Sequence, residues 1–149
     1  MKKAALLYAC VLLAGCAEKN TSTSIADPWT DDATLEQMVS ATGISFEVPS
    51  SIQGNDLVSY RYMEGLDEAD YDGEITIRKG TGDDDVSGDY NEYPVSEEIN
   101  GVLLKGMSEG IYENAIWSAD GYRYSITVNP GTENGFSEEV MLEIVSEVK

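Results

Sequence analysis

Apolar residues recur along this chain first at helical spacing, then at alternate positions, and finally at helical spacing again. Thr34-Leu35-Glu36-Gln37 has the form of a capping box, in which the Thr and Gln side chains each satisfy an amide that the first helical turn leaves free. Leu35, Met38, Val39 and Thr42 follow at helical spacing, and Gly43 can end the turn in a left-handed conformation, so a helix is predicted over about 34–42. The period then changes. Ile44, Phe46 and Val48 alternate with polar neighbours up to Pro49, as do Val58, Tyr60 and Tyr62, and then Ile75 and Ile77. Each set reads as a strand. Val95 to Ile99 and Val102 to Lys105 flank Asn100-Gly101, a strong signal for a two-residue hairpin, and Pro94 must then sit at a strand start or a sheet edge. Ile111 to Trp117 and Tyr122 to Val128 flank Ser118-Ala119-Asp120-Gly121, a second hairpin connection. After the Asn129-Pro130-Gly131 turn, Ser137 is placed as an N-cap, with Phe136 and Met141 at the positions of a hydrophobic staple. Val140, Met141, Ile144, Val145 and Val148 line one side of a closing helix. The expected fold is α+β: an antiparallel sheet of about six or seven strands with an N-terminal and a C-terminal helix packed on it.

The first residues follow a different logic. Lys2 and Lys3 precede the uncharged run Ala4 to Leu13, which is shorter than the roughly 20 apolar residues needed to span a bilayer. This is the layout of a secretory signal peptide. The run ends in Leu13-Ala14-Gly15-Cys16, which resembles the lipobox of bacterial lipoproteins. The resemblance implies a diacylglyceryl thioether on Cys16, cleavage just before it, and a firm anchor, because two acyl chains hold where one does not. An ordinary cleaved signal that happens to contain a cysteine is the plainer alternative. The expected organisation is a signal peptide over 1–15, a lipidated Cys16 with a flexible tether over 16–30, and a single domain over 31–149. The expected location is extracytoplasmic, on the cell membrane.

Composition narrows the chemistry. The chain has two cysteines, Cys10 and Cys16. With Cys10 removed and Cys16 lipidated, no thiol is left for catalysis, thiolate metal binding or a disulfide. There is no histidine, which excludes Ser-His-Asp and Cys-His nucleophiles and imidazole zinc sites. The 9 basic and 28 acidic residues become 7 and 28 without Lys2 and Lys3, a balance of −21. Such a field repels phosphate backbones, so nucleic acid is not an expected partner. Gly80-Thr81-Gly82 lacks the Lys-Ser/Thr ending of a phosphate loop and runs into three aspartates.

Three stretches resemble a known family. They are Glu74 to Lys79, Asp84 to Tyr93 (DDVSGDYNEY), and Ala115 to Ile126, together with the closing Gly135-Phe136-Ser137-Glu138-Glu139 run. In these the chain is similar to the domain of unknown function 4367 family over about residues 33–149. Members are bacterial, often short lipoproteins or extracytoplasmic parts of membrane proteins. The resemblance implies a fold and a location, and it supplies no catalytic residue.

Two features remain as candidate sites. Asp83, Asp85, Ser87, Gly88 and Asp89 fall at positions 1, 3, 5, 6 and 7 of a calcium loop. Position 12, however, is Pro94, and Glu92 comes two residues early. The segment reads either as an irregular calcium site on Asp83, Asp85, Ser87, Asp89 and Glu92 or as an acidic turn between strands. Aromatic residues form the second feature. Trp117 and Tyr124 are expected in the core, whereas Tyr90, Tyr93 and Tyr112 are candidates for an exposed binding face that stacks on sugars or peptides. No cofactor is expected beyond that calcium. The expected function is a non-catalytic module that binds an unidentified envelope protein or polymer. The alternatives are a calcium-binding surface domain and a carboxylate-based hydrolase.

Overall fold

The computed structural model describes residues 25–130 and 135–149. The signal peptide, Cys16 and the tether as far as residue 24 lie outside the described residues, as does Gly131. The chain folds as β1 (Thr30–Ala33), α1 (Leu35–Thr42), β2 (Ser51–Ile52), β3 (Asn55–Met63), β4 (Leu66–Tyr71) and β5 (Ile75–Gly80). It continues with β6 (Val95–Ile99), β7 (Val102–Gly106), β8 (Asn114–Ala119), β9 (Tyr122–Val128) and α2 (Glu138–Glu147). The class is α+β, with nine strands among the described residues where six or seven were expected. Neighbouring strands run in the order β1-β3-β4-β5-β9-β8-β7-β6, and β2 pairs with β3 beside this path. Every pairing is antiparallel.

The helix signals act as read. Thr34 and Gln37 close the capping box, Gly43 ends α1 at φ 73°, and the Ser137 side chain accepts from the Val140 amide at the head of α2. Both helices cover one face of the sheet. On that face a cross-strand row runs Tyr60, Ala69, Ile77, Ile126, Ala115 and Leu104, and Met38, Met141 and Ile144 of the helices close over it. Burying each of the larger side chains is worth about 1.5–3 kcal/mol, which is the main force holding helices to sheet. Trp117 and Tyr124 are buried on this face as expected, stacked with ring centres 5.1 Å apart and planes 8° apart.

Three strand readings change, and β1, β2 and β4 have no counterpart among the sequence readings. Residues 44–48 have no regular secondary structure and join no ladder, although Ile44 and Phe46 are buried; the backbone contact there is a reciprocal pair between Glu47 and Lys149 (2.8 and 3.0 Å). Alternation there marks a chain lying over the core, not membership of the sheet. Strand β3 carries a bulge between Leu57 and Ser59, which turns Val58 out to 63% exposure and lets Leu57 pack against the core beside Tyr60 and Tyr62. Strand β8 begins at Asn114, and Ile111 and Tyr112 make isolated bridges to Ser108 and Phe136. Strand β4, Leu-Asp-Glu-Ala-Asp-Tyr, is central in the sheet despite its three acids. The folded part also starts early, since Thr30 is in β1 and the Trp29 ring packs on the sheet. Pro94 sits just before β6, which is an edge strand.

Candidate functional site

Among the described residues the sheet's other face carries no helix. Strand register places Arg61, Glu68, Arg78, Ser125 and Ile116 side by side across it, with Asp70, Thr76, Thr127 and Asn114 in the adjacent row. Glu68 is fully buried, and a lone carboxylate there would be costly. Each of its oxygens accepts from one arginine, Oε1 from Arg61 Nε and Oε2 from Arg78 Nε. Charge-assisted bonds on both sides offset the lost hydration. Arg61 also lies 3.8 Å from Asp70 and 3.9 Å from Asp31. The Trp29 ring covers both guanidinium groups, at 4.3 Å from Arg61 and 5.3 Å from Arg78. Burial alone would lower the Arg61 pKa, but the Glu68 hydrogen bond and the surrounding carboxylates raise it. Asp70 is pushed up, first by burial and then by the Glu68 charge.

The acidic loop between β5 and β6 folds over this polar row, held by three basic residues. Arg78 Nη1 donates to the carbonyls of Val86 (3.2 Å) and Ser87 (2.6 Å). Arg123 donates twice to the Asp83 carbonyl (3.0 and 2.8 Å), and Lys105 Nζ is 4.0 Å from Asp85. Inside the loop, side chains cap successive amides. Asp85 Oδ1 accepts from Ser87 N (2.8 Å), Ser87 Oγ from Asp89 N (3.1 Å), and Asp89 Oδ1 from Asn91 N (3.0 Å). Asp89 Oδ2 accepts from the Tyr93 hydroxyl at 2.5 Å. Burial and this carboxylate raise the Tyr93 pKa well above the usual phenol range.

Each residue singled out from the sequence can now be placed. Tyr90 stands 96% exposed at the crest of the loop, and Tyr93 is half-buried against Asp89. Tyr112 is not exposed: it is buried, and its hydroxyl donates to Glu97 at 2.6 Å. The Tyr112-Phe136 bridge draws it under the sheet edge, which alternation along the chain does not convey. Asp83, Asp85 and Glu92 are exposed, whereas Ser87 is buried. Among the described residues no three acidic side chains converge as a metal cage. Cys16 lies outside the described residues, and no described helix is long and apolar enough to cross a membrane.

Loop and sheet enclose an open crease in two parts. One, about 570 Å³, is lined by Thr76, Arg78, Tyr90, Asn91, Thr127 and Asn129 among others. The other, about 500 Å³, has Trp29, Leu66 and Val86 in its walls. Arg78, Gly88 and Tyr90 line both. The crease therefore carries hydroxyl, amide and carboxylate groups (Glu74 and Asp89 in one part, Glu64 and Asp85 in the other), an aromatic ring at each part, and one lining cation, Arg78, already paired with Glu68. The arginines, Glu68 and Trp29 were not singled out from the sequence. Arg61 between Tyr60 and Tyr62, and Arg78 next to Ile77, each on the polar phase of an alternating run in so acidic a chain, were the available signal.

A second buried polar group lies on the helix side. Asp67 and Lys79 are cross-strand partners, both buried. Lys79 Nζ donates to the Ser45 carbonyl (2.5 Å) and sits 4.5 Å over the Tyr122 ring, while Asp67 Oδ2 accepts from Thr42 (3.3 Å). Burial pushes the Asp67 carboxyl up to about 6, against the smaller opposing effects of Thr42 and Lys79. This pair ties the end of α1 to the sheet and does not border the crease. The chain matches no protein-family model, and no curated protein or solved structure is significantly similar to it.

Proposed function

We propose that this chain is a non-catalytic, lipid-anchored extracytoplasmic lipoprotein whose folded domain binds a neutral, hydroxyl-rich envelope polymer in the crease on the open sheet face. The observation that carries this reading is Tyr90, a large aromatic ring held 96% exposed where the two parts of the crease meet. An exposed ring on a pinned loop offers a stacking platform at low entropic cost; Thr76, Thr127, Asn91 and Asn129 line the crease beside it, their polar groups already engaged with Asp70, Asn114, Asp89 and Glu74. Charge disfavours an anionic ligand: Arg78, the one cation in the described lining, is paired with Glu68, while Glu74, Asp89, Glu64 and Asp85 in the walls and the acidic domain as a whole repel anionic polymers. Signal peptide and lipobox supply the address.

Two experiments test the reading. Sedimentation of residues 25–149 with purified cell-wall glycan should show binding that Tyr90→Ala weakens about tenfold, the loss of one stacking contact of roughly 1.4 kcal/mol. Equal binding by the variant, or none by the parent domain, overturns the ligand face. For the address, intact mass of the membrane-extracted protein should give a chain beginning at a diacylated Cys16. Survival of Met1, or a bare thiol, overturns the anchor.

A further inference from the structure

At the end of the sheet far from Trp29, β6 is paired among the described residues on one side only, with β7. The β6-β7 hairpin turns through Asn100 (φ 52°) and Gly101 (φ 80°), a type I′ geometry that makes Ile99 and Val102 a hydrogen-bonded pair. Antiparallel pairs alternate, so Glu97 and Val95 also turn their amides toward β7. The Glu113 amide donates to the Lys105 carbonyl (2.9 Å), which fits the same phase: odd-numbered residues of β7 face β8 and even-numbered ones face β6. Ser96 and Glu98 are left with N–H and C=O directed outward. Beside this edge lies a groove of about 500 Å³ lined by Val95, Ser96, Glu97, Glu109, Gly110 and Tyr112. Among the described residues none of Glu97, Glu109 and Glu138 forms an ion pair. All three carboxylates act on the Tyr112 hydroxyl, whose pKa is pushed up to about 12, chiefly by its hydrogen bond to Glu97. Ile111 and Met107, in the loop flanking the groove, are exposed.

We propose that the free edge of β6 is a docking strand for an extended basic segment of another protein. The segment adds antiparallel to Ser96 and Glu98, so that its residues between the basic ones donate to the edge, and places Lys or Arg side chains at alternate positions in the groove between Glu97 and Glu109. Main-chain bonds supply affinity and the alternate pockets supply selectivity. A second copy of this chain is a poor occupant, because edge-to-edge pairing would set Glu97 and Glu98 against their own counterparts. An edge that is only guarded by its acids against aggregation is the competing explanation. This surface is independent of the crease and stands or falls separately.

The probe is a peptide of about eight residues alternating lysine and valine. Its control replaces each valine with proline, which keeps the charge but cannot donate along a strand. At about 150 mM salt, where long-range attraction is screened, the valine peptide should bind at least about tenfold more tightly than the control. Hydrogen exchange on the unmodified domain should show the Ser96 and Glu98 amides newly protected. The double variant Glu97→Gln, Glu109→Gln, checked for an unchanged melting curve, should lose most of the binding. Equal affinity for the two peptides, or protection that appears elsewhere and not at Ser96 and Glu98, overturns the proposal.

Discussion

Glu68 and Asp67 are adjacent in sequence, both fully buried, and point to opposite faces of β4. Their environments give them opposite roles. Glu68 is held by two arginines, so removing it leaves two partly buried cations facing each other. Glu68→Ala should cost about 3–5 kcal/mol, read as a lowered urea midpoint. Asp67 has no partner of that quality: among the described residues its Oδ1 makes no hydrogen bond, and burial lifts the carboxyl from an ordinary 3.8 to about 6. A carboxyl whose folded pKa is raised makes the native state the better proton binder. Its contribution to stability is therefore full below about pH 4 and is lost as pH rises through 6, roughly 3 kcal/mol in all. Asp70 is shifted in the same direction. Urea titrations at pH 4.5 and 7 should show the domain more stable at the lower pH, and Asp67→Asn should remove most of that difference. An unchanged slope in the variant would assign the pH dependence elsewhere.

At the scale of elements, the acidic loop is shaped by the strands beneath it. Gly88 has φ 61°, and a Cβ there would collide with the Arg78 guanidinium that holds Val86 and Ser87. Gly88→Ala should release the loop with little loss of global stability, seen as faster exchange at the Ser87 and Asp89 amides. The carboxylates of Asp85 and Asp89 already accept from the loop's own amides, so millimolar calcium should leave the melting temperature unchanged. A clear rise would revive the calcium reading of this segment. Capping residues, turn dipeptides and alternation made α1, α2, β6, β7 and β9 legible, because those signals act within a few residues. Strand β4 was not legible. Glu68 is tolerable there only because Arg61 and Arg78, seven and ten residues away, come alongside in the sheet, while Asp67 on the other face meets Thr42 and Lys79. Tyr112 failed for the same reason, its burial being set by Phe136, far along the chain. The crease depends on distant contacts of this kind, such as Arg78 with the Val86 and Ser87 carbonyls, so of its lining the sequence singled out only Tyr90 and parts of the acidic loop.

For the whole molecule, charge is distributed against stability. Residues 25–149 carry Arg61, Arg78, Lys79, Lys105, Arg123 and Lys149 as their only cations, and all but Lys149 are committed to side-chain, carbonyl or ring partners. The remaining acids lie mostly on the surface, where they repel one another across distances that salt screens. The buried ion pairs around Glu68 are shielded from the same ions. Raising salt from about 10 to about 150 mM should therefore stabilise the domain instead of weakening it, by about 1 kcal/mol or roughly 4 °C in Tm. Calorimetry at both salt concentrations distinguishes the two cases. A fall in Tm would mean that exposed pairs such as Arg61-Asp31 and Lys105-Asp85 contribute more than the surface repulsion opposes, and that the loop over the crease is held mainly by charges that solvent can reach.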